Sequence, residues 1–426
     1  MTAQLLQKLR NDAILELALV EGGAVGLWAS GEGRYKAFFS RDAFISIILA
    51  LSKNQGDLTP RLVKAAIRCQ KTAIKFEGKL LNDVSEEAPG KKPHEVHFAA
   101  SPQDRLAMLR DNGWPVHLND DGTLGMVYYG AGDANSLFTI SVGVVARAIE
   151  KIDPDEALRY MRKMWPSIER GLKHDMMIAD IDGDGLIESN PKNKKALLNH
   201  TWKDSNEAYI DEEGNLPPAP YKYLTNNCHF VWALKEASVI ARKLGYPVWR
   251  ELRLRHKTSK KKLVDTFWSD KLNFMLPLVD GRGRQLEIVT DDAADALWAK
   301  LLDREMAKIV ARRLTRKDML TPRGIRTRSS KSMQFAANGI GSYHNGLVWP
   351  HRTMILAQGA QRYGWRKLAR DLNSRISLVL LEHGNIECVG VSKGGQKSYL
   401  YMENGVSAAC KPQCWAVFGT LGFTAS

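Results

Sequence analysis

Two adjoining stretches decide the fold: SLFTISVGVVARAIEKI over residues 136–152 and DPDEALRYMRKMWPSIERGLK over residues 153–173. In both, apolar residues return every three or four positions, the period that gathers them on one face of an α-helix. At the junction Asp153 precedes Pro154, and Asp155 and Glu156 follow. This is a helix start: proline is tolerated at the first helical position, where its missing N–H costs nothing, and acids suit the positive end of the helix dipole. The pair reads as one helical hairpin.

The same period predicts helices over Leu5–Val20, Asp42–Leu51, Pro60–Phe76 with Thr59 at its entrance, Asn226–Leu244, Pro247–Trp268, Asp291–Leu302, Arg304–Arg313, Leu347–Tyr363, Trp365–Leu381 and Ser407–Gly422. With the first two, the chain carries about twelve helices in successive pairs. Long Gly-, Pro- and Asn-rich segments, residues 86–102, 113–133, 180–220 and 321–346, separate the pairs. Segments of that length usually carry function. An all-α chain of paired helices with long loops at one end implies a closed double ring, and no low-complexity linker divides it, so one domain over 1–426 is expected.

A hydrophobic content of 44% across 426 residues allows a sizeable core. The longest apolar runs, such as Phe44–Leu51, fall far short of the roughly 20 residues that cross a bilayer. The amino terminus meets Asp12, Glu16 and Glu21 before any secretory core develops. The five cysteines include no CxxC pair, so neither a disulfide framework nor a zinc site is indicated. A cytoplasmic protein without membrane partners is expected. The formal charge of +14 draws on Arg250–Lys262 and Arg312–Lys331. Those runs are either solvated faces or attractors of an anion. Nucleic acid is disfavoured because aromatic residues do not interleave with them.

Several segments concentrate chemistry. Asp180, Asp182, Asp184 and Glu188 begin like a calcium (Ca2+) loop, but Pro191 stands where a bidentate glutamate is needed. A tight Asp/Gly turn is the preferred reading and no cofactor is required. Thr201-Trp202-Lys203-Asp204-Ser205 sets an aromatic beside an acid, as sugar sites do, since an aromatic face covers the C–H face of a pyranose while carboxylates bond its hydroxyls. Tyr401-Met402-Glu403 precedes Cys410–Trp415 and supplies a second acid, with Glu387 as its rival. Two carboxyl groups are what glycoside hydrolysis requires, one protonating the leaving oxygen and one activating water or attacking the sugar. His344 and His351 lack a familiar metal spacing. Gly390–Ser398 fails as a phosphate loop because Gln396 separates glycine from lysine, and Ser392 lacks the following helix that a nucleophile elbow needs.

In order along the chain, FSRD at Phe39–Asp42, PGKKPHEV at Pro89–Val96, YYGAGDA at Tyr128–Ala134, DGDGLIE at Asp182–Glu188, WKDS at Trp202–Ser205, YHNGLVWPH at Tyr343–His351 and CKPQCWA at Cys410–Ala416 resemble the glucosidase domain of glycogen-debranching enzymes and the six-hairpin, (α/α)6-barrel glycosidase superfamily. The resemblance implies an (α/α)6 barrel that releases glucose from α-linked glucosides with inversion, Asp204 as general acid and Glu403 as general base. It further implies that Arg41 and Asp42 grip the terminal glucose and that Trp202, Trp349, Trp415 and Tyr129 wall the pocket. Asp133, His344, Asn345 and Gln413 would supply hydrogen bonds, and Glu207 would border the site and help raise the Asp204 pKa. Amylo-α-1,6-glucosidase activity on an oligosaccharide is the leading expectation. The basic charge, and the lack of the β-rich domain many relatives carry, keep a small anionic glucoside such as glucosylglycerate as the alternative. A carbohydrate-binding protein without turnover is a third reading, and the presence of both acids speaks against it.

Overall fold

The computed structural model describes residues 2–32, 35–98, 116–118, 124–335, 341–392, 395–403 and 406–425. Among them lie twelve α-helices: α1 (Ala3–Val20), α2 (Ser40–Leu51), α3 (Thr59–Lys75), α4 (Ala134–Glu150), α5 (Pro154–His174), α6 (Leu224–Lys243), α7 (Trp249–Phe267), α8 (Ala293–Trp298), α9 (Arg304–Leu314), α10 (Pro350–Arg362), α11 (Arg366–His383) and α12 (Cys414–Thr424). Every helix expected from the apolar period is present, most within three residues of its expected ends.

The even-numbered helices touch in sequence, α2 to α4, α6, α8, α10 and α12, and α12 returns to α2, closing an inner ring. Each odd-numbered helix packs outside it, α3 on α2 and α4, α5 on α4, α7 on α6, α9 on α8, α11 on α10, and α1 on α12. This is the (α/α)6 barrel, and composition explains the division. All twelve residues of α2 are buried, as a helix enclosed on every side requires. In α3 the buried residues Leu62, Ala65, Ala66, Cys69 and Ala73 form one stripe, so its other face meets water. On α5, Asp153 caps the first turn by accepting from the Glu156 N–H at 2.9 Å.

Because each outer helix carries the chain back, all six inner helices start at the same end of the barrel. Their first residues and N-caps include Arg41, Asp42, Asp133, Asp292, Trp349 and Gln413. Short strands also gather there. Strands β1 (Phe38–Phe39), β2 (Glu95–His97), β3 (Val116–Leu118) and β4 (Leu124–Tyr128) form an antiparallel sheet in the order β1-β2-β4-β3. Phe39 pairs with Glu95, and the Ser40 N–H donates to the His94 carbonyl at 2.9 Å, which sets the start of α2 beside His94 and Glu95.

Two helix boundaries moved inward for local reasons. The last helix begins at Cys414, not at Ser407, because Val406–Ser407 pairs with Met402–Glu403 in a hairpin. Helix α8 begins after Asp291 and Asp292, whose carboxylates are committed to buried cations, and ends before Lys300, which takes φ +57°. Among the described residues no helix is long and apolar enough to cross a membrane, and no disulfide joins the cysteines.

Candidate active site

Arg41, buried at the start of α2, is the hub of the inner-helix N-terminal end. Its Nε donates to both oxygens of Asp133, at 2.8 and 3.1 Å, and its Nη1 lies 3.3 Å from Asp204 Oδ2 and 3.3 Å from His94 Nε2. Its Nη2 is buried and, among the described residues, has no hydrogen-bond partner, although buried polar groups ordinarily find one. The adjacent Asp42 accepts from Gln413 Nε2 at 2.9 Å. One guanidinium therefore faces three carboxylates. Burial pushes the Asp42 carboxyl up to about 7 against the pull of Arg41 and the Gln413 hydrogen bond, with the charges of Glu387 and Asp204 adding to the rise.

Asp204 is embedded in protein yet keeps 29% of its side-chain surface open. Burial raises it to about 6, Arg41 opposes, and Glu95 and Asp133 reinforce the rise. The acids that act on it most are thus Glu95 and Asp133, in place of the expected Glu207. Glu207 is half-buried, and its backbone carbonyl accepts from Asn345 Nδ2.

The loop bearing Asp204 is pinned from beneath. Lys203, fully buried, makes ion pairs with Asp291 at 3.3 Å and with Asp292. Arg352 of α10 pairs with Asp291 and Asp295 and stacks on the Trp202 ring, its guanidinium carbon 4.4 Å from the centroid. Trp202 Nε1 donates to Asp292 Oδ1 at 3.2 Å. A buried network with its charges paired holds one geometry because any displacement strands a charge. Sequence reading missed this network: its members sit in three helical hairpins with no local pattern linking them.

The two candidate bases stand in different surroundings. Glu403 lies exposed on the strand Met402–Glu403 of a two-stranded hairpin. Glu387 is 4% exposed. Tyr343 donates its hydroxyl to Glu387 Oε1 at 2.9 Å, and the Cys410 N–H donates to Oε2 at 3.0 Å. A pair of backbone hydrogen bonds between Val348 and Val389, both 2.9 Å, brings the segment beside Tyr343. Asp42 and Tyr343 each feel the charges of both Glu387 and Asp204.

The aromatic candidates assemble into a packed wall. Trp202 meets His344, Trp349 and His351 edge-on, His344 stacks on Trp349, and His351 stacks on Trp415 at 4.0 Å. Trp202, Trp349 and Trp415 are 5% exposed or less, so they back the site and present little open face. Tyr129 is likewise buried, its hydroxyl donating to the Phe76 carbonyl at 2.8 Å. His344 Nδ1 lies 2.8 Å from Ser205 Oγ, and burial drives its pKa well down, so it is neutral. Asn345 Oδ1 accepts from Arg328 at 3.3 Å, and together with its bond to Glu207 this uses Asn345 to brace loops. His94, Glu95 and Tyr343 belong to the quoted motifs, and the structure adds them to the site.

Asp180, Asp182 and Glu188 each aim an oxygen into a region within 4.8 Å. The Lys222 ammonium reaches it, 2.5 Å from Asp182, 2.9 Å from Asp184 and 2.8 Å from Glu188. With backbone N–H groups of Gly185, Leu186 and Ile181 donating to Asp180, Asp184 and Glu188, the residues fit a hydrogen-bonded turn tied to Lys222 better than a calcium loop. Ser392 follows the strand Val389–Val391, which pairs antiparallel with Ser398–Leu400, and among the described residues no helix directly follows it, which speaks against a nucleophile elbow.

Comparisons with known proteins bear on the family and the fold. The sequence profile described as the mannosylglycerate hydrolase MGH1-like glycoside hydrolase domain matches residues 172–388, about half of the chain. No curated protein matches the sequence significantly. Among solved structures, the GH63 mannosylglycerate hydrolase from Thermus thermophilus in complex with Tris is 15% identical, with a TM-score of 0.70 over 98% of this chain and 100% of that one. The same enzyme with Tris and D-glycerate, also 15% identical, gives 0.71 over the same shares. A structure described as a glycosidase is 13% identical with a TM-score of 0.60, covering 99% of this chain and 97% of that one. At such identities these likenesses establish the fold alone.

Proposed function

Since the chain belongs to the MGH1-like glycoside hydrolase domain family and is thus a glycoside hydrolase, we propose that it hydrolyses an α-hexoside of a small hydroxy acid, such as glucosyl- or mannosylglycerate, with inversion. The observation that carries this reading is the pairing of environments at the inner-helix N-termini. Asp204 is raised to about 6 in a partly open position, while Glu387 is held by the Tyr343 hydroxyl and the Cys410 N–H.

In the proposed reaction Asp204, protonated, donates to the glycosidic oxygen as the bond to the anomeric carbon breaks. Glu387 accepts a proton from a water that attacks that carbon from the opposite face. Glu387 replaces Glu403 as the proposed base because a general base must be positioned by its surroundings before it can be effective, and Glu403 stands exposed. Inversion requires the two carboxyl groups roughly 6.5 to 9.5 Å apart, leaving room for the water. Arg41 and Asp42 would bind sugar hydroxyls, with the unpartnered Arg41 Nη2 as one donor.

A small acidic aglycone is favoured over a glycogen branch by the family description and by the D-glycerate in one structural neighbour. The +14 charge would also raise the local concentration of an anionic substrate. The test is release of sugar from glucosylglycerate, mannosylglycerate, isomaltose, maltose, panose and limit dextrin, with the Asp204→Asn variant alongside. Turnover of a glyceryl hexoside that disappears in the variant supports the proposal. Turnover of isomaltose or limit dextrin without the glycerates would return the protein to the debranching reading.

A further inference from the structure

The basic run at 250–262 lies on α7, and its cations divide by direction. Arg255 pairs with Glu251 at 3.0 Å and Lys262 with Asp184 at 3.3 Å. Arg253, Lys257 and Lys260 instead line a groove of about 450 Å³ between α7 and α6. On α6 the same sorting occurs: Lys243 pairs with Glu150, whereas Lys235 and Arg242 line the groove. Among the described residues none of these five groove cations makes an ion pair, and no carboxylate lines the groove.

A solvated basic face would spread its cations or interleave acids, because like charges held together repel. Here they converge. His256 lies among them, donating its Nδ1 proton to the Val231 carbonyl at 2.9 Å. Burial, with the charges of Lys235, Lys260 and Lys257, holds the His256 pKa below its ordinary value. At a helical rise of about 1.5 Å per residue, Arg253 to Lys260 and Lys235 to Arg242 each span roughly 10 Å. Two facing cationic rows of that length suit an extended anion better than a single point charge. Ammonium and guanidinium groups are the side chains that bind phosphate oxygens with charge-assisted hydrogen bonds. Single-stranded nucleic acid would also need stacking faces, and the indole lining the groove, Trp249, already carries the Arg250 guanidinium 4.9 Å from its ring centroid.

We propose that the α6–α7 groove is a binding site, separate from the catalytic end of the barrel, for a chain of linked phosphates, whether free or carried by a nucleotide. The site shares no residue with the glycosidase reading and stands or falls without it.

Binding of inorganic tripolyphosphate and of a nucleoside triphosphate is measured by calorimetry at about 0.15 M salt, with a single-stranded oligonucleotide as the third probe. Saturable binding of either phosphate chain is expected, weakening as salt rises. The variant Arg253→Gln/Lys257→Gln/Lys260→Gln should lose about tenfold or more in affinity. An equal charge removal at Arg255, Lys261 and Lys308 should leave the affinity unchanged. On binding, the His256 imidazole should titrate at higher pH by nitrogen NMR, because the bound anion offsets the surrounding cations. Equal affinity for the two phosphate probes identifies the chain alone as the ligand, and a tighter nucleotide identifies the carried form. The proposal is overturned if neither phosphate probe saturates the site, if the control variant loses affinity as much as the groove variant, or if only the oligonucleotide binds.

Discussion

Replacing Asp42 by asparagine should stabilise the protein in a way that depends on pH. In the folded chain the Asp42 carboxyl titrates at about 7, against 3.8 as its reference value. The folded state therefore holds a proton that the unfolded chain has already released across that interval, and wild-type stability falls as pH rises through it. Each pH unit is worth about 1.4 kcal/mol, so the penalty should grow from almost nothing near pH 4 to on the order of 4 kcal/mol above pH 7, then level off. Asparagine keeps the acceptor oxygen for Gln413 Nε2 and carries no charge to desolvate. Arg41 still faces Asp133 and Asp204, so no cation is stranded. The assay is the urea midpoint of both proteins from pH 4 to 9, taken as a difference so that shared titrations cancel. Activity should be lost in the same variant, since Asp42 is proposed to hold a sugar hydroxyl. A stability difference that is flat with pH, or a variant less stable at pH 8, would refute the argument that burial, only partly offset by Arg41 and Gln413, lifts the Asp42 carboxyl.

Glu387→Gln should lower kcat by about 10²- to 10⁴-fold while Glu403→Gln changes it little, and steady-state kinetics on the best substrate of the panel separate the two assignments. Because the general acid must be protonated, kcat/KM of the wild type should decline as pH rises past about 6, the value to which burial lifts Asp204. A profile flat to pH 8 would count against Asp204 in that role. Lys203→Met should cost about 3 to 5 kcal/mol by leaving Asp291 and Asp292 with fewer buried partners, visible as a lower denaturation midpoint. Lys222→Met should cost less, about 1 to 3 kcal/mol, since Asp182 is more than half exposed and water takes over part of the lost ion pair.

Much of the fold was legible because helix formation leaves a local record. The 3.6-residue period, Asp153 before Pro154, and the alternation of fully apolar stretches such as Phe44–Leu51 with one-faced ones such as Pro60–Phe76 act over neighbours in sequence. Arg41, Asp42 and Asp204 were legible for a related reason: each sits in a short motif at the start of, or in the loop before, an inner helix. Glu387 against Glu403 was not. Both are acids in loops before α12, sixteen positions apart, and nothing local records that Val348 and Val389 exchange hydrogen bonds and thereby place Glu387 under the Tyr343 hydroxyl. Nor does Trp202 announce that it will be covered by Arg352, 150 positions later.

By itself, then, the sequence determined most of the secondary elements and their pairing into hairpins, because propensity, capping and apolar period act over a few residues, and its ordered motifs carried the resemblance to a glycosidase. Only the tertiary structure decided which of the two rival carboxylates, Glu387 or Glu403, is buried, that Trp202, Trp349 and Trp415 lie packed with little open face, and that Lys222 pairs with Asp182, Asp184 and Glu188 of the aspartate turn. It also decided which lysines and arginines of the basic run converge without partners. Burial and long-range charge pairing set those properties, and both depend on which distant segments ring closure brings together.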